Sequence, residues 1–193
     1  MARPIKYNLD KVLLDSMNLF WKKGYEATSI KDIVEVTGLK PGSLYNLYGN
    51  KEGIFDAVVL KYSEMLRSQV KTILEKSDSS LESIKNFLHD IVVATILNEK
   101  THGCLLAKTL LVLSSKDKKL QQEITDIFKE VELLLEKTID KAIANGETKV
   151  DSKYFAKFII TNLYGMHAYY KTDNNPYILE QNVKFIIDAL ERS

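Results

Sequence analysis

The chain has 193 residues, of which 45% are hydrophobic, and its 27 basic and 26 acidic side chains leave a formal net charge of +1. That length holds one ordinary domain or a small domain joined to a larger one, and with only 3 prolines and 8 glycines the composition excludes a disordered or collagen-like chain. A charge so close to balance excludes a uniformly basic protein, so nucleic-acid binding would need a basic face rather than a basic total.

The first helix is predicted after Asn8, a good N-cap, with Leu9, Val12, Leu13, Ser16, Met17 and Phe20 on one face and Gly24 as its stop. A short helix follows, capped by Ser29 with Asp32 three residues on, an Asp variant of the capping box. Gly38 ends it, and Pro41 opens a third short helix, where a missing amide costs nothing. Asn50 then caps a long fourth helix with a stripe of Ile54, Val58, Tyr62, Met65, Gln69 and Ile73. Five further helices are predicted at about 80–98, 104–114, 117–145, 151–171 and 175–191, and no segment alternates as a strand does. The expected fold is all-α: a three-helix N-terminal unit, residues 1–50, and a larger helical bundle, residues 51–193.

The informative stretch runs from Thr28 to Lys51. Two short helices joined by a tight glycine turn form the helix-turn-helix pattern, whose second helix enters the major groove of DNA. At about 100° per residue, Leu44, Leu47 and Tyr48 fall on the core side of that second helix. Gly42, Tyr45 and Asn46 fall on the other side, with Ser43 on the flank. The outer face is therefore small and hydrogen-bonding apart from one tyrosine. Lys51 sits at a helix start, where the macrodipole disfavours a cation. A phosphate bound at that end would be held by backbone amides and the lysine together.

GYEATSIKDIVEVTGLKPGSLYNLYGNKEGIFDAVV resembles the DNA-binding region of the TetR/AcrR family of transcriptional regulators. The resemblance is carried by Gly24-Tyr25, Thr28-Ser29, Gly38-Leu39, Ser43-Leu44-Tyr45, Tyr48, Lys51-Glu52 and Ile54. It implies a double-stranded operator as partner, a homodimer, and a C-terminal domain that binds a small inducer and releases the repressor from DNA. It also implies that Thr28, Ser29, Tyr45 and Lys51 hold phosphates, and that Lys40, Gly42, Ser43 and Asn46 lie nearest the bases. Two departures stand out: Leu47 where the family often has histidine, and Tyr48 where it often has phenylalanine. The reader has no arginine for a bidentate guanine contact, so Lys40 and Asn46 are left as the candidates for base edges.

Beyond this unit the signals thin out. Large side chains with few charges between them (Phe87, Ile91, Phe128, Phe158, Met166, Tyr169, Tyr170) suit either an apolar pocket or ordinary core. Met65 and Gln69 on the fourth helix, together with Cys104, complete the candidate ligand set. Asn162, on a face with Phe155, Ile159 and Met166, is expected to be a buried amide that either orients a ligand or bonds backbone. The resemblance places the dimer interface on the last two helices, and their apolar residues Phe155, Ile159, Leu163, Ile178, Phe185, Ile186 and Ala189 are the candidates.

Cys104, next to His102 at a helix start, is either a thiol of lowered pKa or a small buried residue. As the only cysteine it excludes an intrachain disulfide and fits a cytoplasmic protein. MARPIKYNLD lacks the apolar stretch of a signal peptide. His89, His102 and His167 form no i,i+4 pair, so no metal is expected. No catalytic or nucleotide motif is present, so neither enzymatic activity nor a cofactor is expected. A motif-poor all-α enzyme or a helical interaction module remains the alternative.

Overall fold

The computed structural model describes residues 7–97, 104–112, 118–173 and 175–192. Among them are nine helices and no strand: α1 (Leu9–Lys23), α2 (Ile30–Thr37), α3 (Pro41–Tyr48), α4 (Lys51–Leu74), α5 (Ser80–Leu97), α6 (Leu105–Val112), α7 (Lys118–Ala144), α8 (Ser152–Asp173) and α9 (Pro176–Glu191). None of them is long and apolar enough to cross a membrane. The chain forms two compact units that divide between Glu64 and Met65, inside α4.

The N-terminal unit is a small helical cluster. Asn8 caps α1 by accepting the Lys11 amide at 3.1 Å, and Gly24 ends it at φ +80°, where a side chain would be strained. Val12, Met17, Phe20, Ile33, Leu39, Leu44, Ile54, Phe55, Val58 and Val59 form the core. Phe55 meets Phe20 edge-on at 5.0 Å and Tyr25 at 4.7 Å between ring centroids, a geometry that adds to simple area burial.

The C-terminal unit is a bundle in which α5 packs on α7 and α9, and α8 packs on α7 and α9. Its core draws Val70 and Leu74 from α4, Ile84, Phe87, Leu88 and Val92 from α5, and Val131, Leu135 and Ile139 from α7. Ile159, Leu163 and Met166 of α8 and Leu179, Val183, Ile186 and Leu190 of α9 complete it. One long-range cap ties the bundle together. The Glu147 carboxylate, just past α7, accepts the Leu81 amide at 2.7 Å and the Ser79 hydroxyl at 3.0 Å at the start of α5.

The buried face of α4 corrects the predicted stripe. Its buried residues are Ile54, Phe55, Val58, Val59, Ser63, Val70 and Leu74, with Leu66 and Ile73 partly buried against the C-terminal core. Met65 and Gln69 lie exposed.

Candidate nucleic-acid interface

The loop before α2 is fixed by bonds between near neighbours. Ser29 accepts the Asp32 amide while Asp32 accepts the Ser29 amide at 2.8 Å, a reciprocal capping box. Lys23 bridges to Asp32 at 2.8 Å. That ammonium and then the Ser29 donors hold the Asp32 carboxyl well below the usual carboxylate range. Thr28 is only 1% exposed, and its hydroxyl donates to the Gly24 carbonyl at 2.7 Å. The Thr28 hydroxyl, expected to hold a phosphate, is thus engaged within the fold. Ser29 stays at the surface.

Gly38, at φ +67° in the left-handed region, turns the chain into α3. Leu44 is the buried residue of α3, and Leu39 just before it is also buried. Tyr48 is half-buried, which pushes its phenol above the ordinary value. Lys40, Gly42, Tyr45 and Asn46 are exposed and Ser43 is half-buried. A Cβ built on Gly42 would meet nothing within 4 Å, so this face can approach a flat or grooved partner closely. Leu47 corrects the sequence reading: it is 46% exposed rather than core. On so short a helix, one core-facing position per turn is filled by Leu44 and then Tyr48, and the flank beyond them is left outside.

The start of α4 is equally local. Asn50 caps it by accepting the Gly53 amide at 2.8 Å. Gly53, which the motif reading passed over, is demanded by geometry: a Cβ there would lie 2.0 Å from the Tyr48 carbonyl oxygen. Lys51 is half-buried. Its ammonium donates to the Tyr25 carbonyl at 3.0 Å and sits 4.2 Å from the centre of the Tyr25 ring. The cation that looked misplaced at a helix start thus has a backbone and a π-face to offset the dipole.

Comparison with known proteins agrees with this geometry. Residues 13–58 match bacterial regulatory proteins of the tetR family, and residues 80–186 match the tetracyclin repressor-like C-terminal domain. The chain belongs to the TetR family. It is a DNA-binding transcriptional regulator. The HTH-type transcriptional repressor ComR of Escherichia coli strain K12 is 30% identical over 172 residues, 86% of this chain and 80% of its own length. The repressor DhaR of Mycobacterium sp. strain GP1 is 24% identical over 193 residues, covering 98% of this chain and 94% of DhaR. Among solved structures, a cysteine mutant of CifR complexed with 26-bp double-strand operator DNA matches at a TM-score of 0.85 and 25% identity. That match covers 97% of this chain and 99% of the CifR chain.

In this TetR-family regulator the predicted ligand residues divide. Phe87 and Met166 are buried in the C-terminal core, and Ile91 packs against that core. Phe128 lies 4.8 Å from Tyr164 between ring centroids. Burial, and then the neighbouring Cys104, push the Tyr164 phenol far above its usual value. The Thr95 hydroxyl donates to the Ile91 carbonyl at 2.7 Å and lies 2.9 Å from Nε2 of His167, within hydrogen-bond distance. Burial lowers the pKa of His167, partly opposed by a hydrogen bond to the Leu163 backbone and aided by the Lys108 charge. Thr95, Tyr164 and His167 were not among the predicted ligand residues. Their signal was polar groups set into apolar helix faces. His102 lies outside the described residues, and among those residues no group of side chains could hold a metal ion.

Asn162 is corrected as well. It is half-buried, donates to the Phe158 carbonyl at 2.8 Å, and lines an open cleft of about 490 Å³ with Gly165, Met166, Tyr169, Ile178 and Asn182. The predicted interface residues Ile159, Leu163 and Ile186 are buried in the bundle's own core and cannot face a partner. Phe155 packs against that core, and Ala189 is half-buried. Phe185 does point out, at 70% exposed, as do Tyr154, Phe158, Tyr169 and Tyr177.

Proposed function

We propose that this regulator is a homodimeric, cytoplasmic repressor that a small, largely apolar ligand releases from its operator, and that it has no enzymatic activity of its own. The N-terminal unit, through Glu64 rather than only residues 1–50, would supply the DNA reader, and the unit from Met65 onward the ligand-binding and dimerisation part. The observation that carries the reading is the outward face of α3, where Lys40, Gly42, Tyr45 and Asn46 stand exposed on a helix that Leu44 anchors. Lys40, Gly42, Ser43 and Asn46 lie nearest the bases in this reading, and Ser29, Tyr45 and Lys51 hold phosphates. Lys51 has donors left beyond the one given to Tyr25. Support comes from ComR and DhaR, which are named repressors, and from CifR, solved with operator DNA.

One reading helix gives little specificity, and two half-sites about one turn apart supply the rest. The exposed aromatics of α8 and α9 (Tyr154, Phe158, Tyr169, Tyr177 and Phe185) are the apolar surface such a pair would bury. For the inducer, the inner faces of α5 to α8 around Phe128, Tyr164, Cys104 and His167 combine apolar walls with a few polar groups, as ligand sites do. To switch, the ligand must prefer the DNA-incompetent state. A coupling of about 1–3 kcal/mol changes affinity some 5–150-fold.

The test is a salt titration of binding to a duplex enriched from a random pool. Lys51→Ala should weaken binding to all sequences about equally and lower the salt slope by about one. If no duplex is enriched, or if binding is indifferent to salt, the repressor reading fails.

A further inference from the structure

Helix α3 carries an apolar side chain that its own unit does not bury. A lone exposed leucine is ordinary on a protein surface. Leu47, however, lies on an eight-residue helix whose other exposed positions are the opening proline, a glycine, a tyrosine and an asparagine. Ser43 and Leu47, four residues apart, share one flank, and Lys40 stands just before the helix as its N-cap. Gly42 and Asn46, four apart, form the adjoining ridge, and Tyr45 takes the far side. Space beyond Gly42 is open, so the ridge is low and the 46% exposed leucine stands clear of it.

The chemistry of the major groove then narrows what Leu47 can recognise. Base edges there present donors and acceptors, and the one apolar group among them is the 5-methyl of thymine. Leucine neither donates nor accepts. Against a polar edge it would displace water without replacing the lost hydrogen bonds. Against the methyl it gains contact and loses nothing.

We propose that Leu47 is a specificity-determining residue that packs on a thymine methyl beside the base edges served by Lys40 and Asn46. This rests on the DNA-reading function proposed for α3. It gives the chain a hydrophobic element of base selection in a reading helix that has no arginine.

Deoxyuridine tests it, because it removes the methyl and leaves pairing intact. The full-length wild type first enriches duplexes from a random pool, and each thymine of the enriched site is then replaced singly. One buried methyl corresponds to about a four-fold change in affinity, so at least one replacement per half-site should weaken the wild type by about that factor. Leu47→Ala should still bind the parent duplex but be indifferent to that replacement, whereas Leu47→Met should keep the sensitivity. Circular dichroism should find both variants as helical as the wild type. The proposal is overturned if the wild type ignores every replacement, or if Leu47→Ala keeps the wild-type response. It is overturned too if a folded Leu47→Ala loses all binding, since one methyl contact cannot carry the whole affinity. Failure to enrich any duplex removes the DNA-reading function itself and Leu47's role with it.

Discussion

The two units cap a helix with the same kind of group over very different distances along the chain. In the N-terminal unit Asp32 closes its box with Ser29, three residues away. In the C-terminal unit Glu147 closes on Leu81, across 66 residues. The first bond can form while the rest of the chain is unfolded, whereas the second exists only once α7 and α5 have been brought together. The DNA reader is thus assembled from local instructions. The surfaces of the regulatory bundle are set by which distant helices meet.

The largest effect that separates the two regimes is expected in the bundle core. Ile159→Ala removes a fully buried side chain and should cost about 2–5 kcal/mol of stability, read by denaturant unfolding. An interface residue would instead change self-association and leave the protomer's stability alone. If Ile159→Ala shifts only the monomer–dimer equilibrium, the assignment of that side chain to the protomer core is wrong.

A smaller loss is expected at the turn from α3 into α4. Gly53→Ala brings a Cβ to 2.0 Å from the Tyr48 carbonyl oxygen, an overlap with backbone that should cost about 1–3 kcal/mol. The better helix propensity of alanine offsets only part of this. Thermal unfolding reads the loss directly. An unchanged or raised midpoint would mean the turn relaxes freely.

The opposite behaviour is expected at Phe185, which is 70% exposed. Phe185→Ala should leave protomer stability within about 0.5 kcal/mol while weakening self-association, seen by sedimentation at micromolar concentration. A monomeric wild type, or a variant as dimeric as the wild type, would remove α9 from the interface.

The two caps offer the subtlest contrast. Both carboxyls have lowered pKa values: Asp32 through Lys23 and then Ser29, Glu147 through the Leu81 amide first. Each contribution is therefore complete above the ordinary carboxylate range of about 4 and is lost as pH falls through the lower folded-state value. Between pH 5 and pH 8 neither cap should weaken. In hydrogen exchange, Asp32→Asn should free only the first turn of α2. Glu147→Gln should loosen α5 together with the elements packed on it. Equal, local effects from both substitutions would erase the distinction between the units.

This difference also explains what the sequence could reveal. The ends of α1, α2 and α3 follow from Asn8, Gly24, Ser29, Gly38 and Pro41, each acting on residues within a turn of itself. The outward positions Gly42, Tyr45 and Asn46 were legible for the same reason, since the spacing within a short helix fixes them opposite Leu44. Leu47 was misplaced because a helical wheel has no ends, while the core it would have joined does. In the bundle, Ile159 and Leu163 read as a spare apolar face, and only the packing of α7 and α9 on α8 reveals them as core. Met65 and Gln69 were misread because spacing along α4 does not show which side the bundle covers, and Val70 and Leu74 take the buried places there.

The central claim is that the exposed face of α3 reads DNA, and Asn46 tests it most directly because it anchors nothing in the fold. Affinities of wild type and Asn46→Ala should be measured by fluorescence anisotropy, at one fixed salt concentration, for the enriched duplex and for every single-base variant of it. The account predicts that Asn46→Ala loses about 1–3 kcal/mol of discrimination at one position per half-site and keeps wild-type preferences elsewhere. Unchanged preferences at every position, in a variant as stable as the wild type, would contradict it.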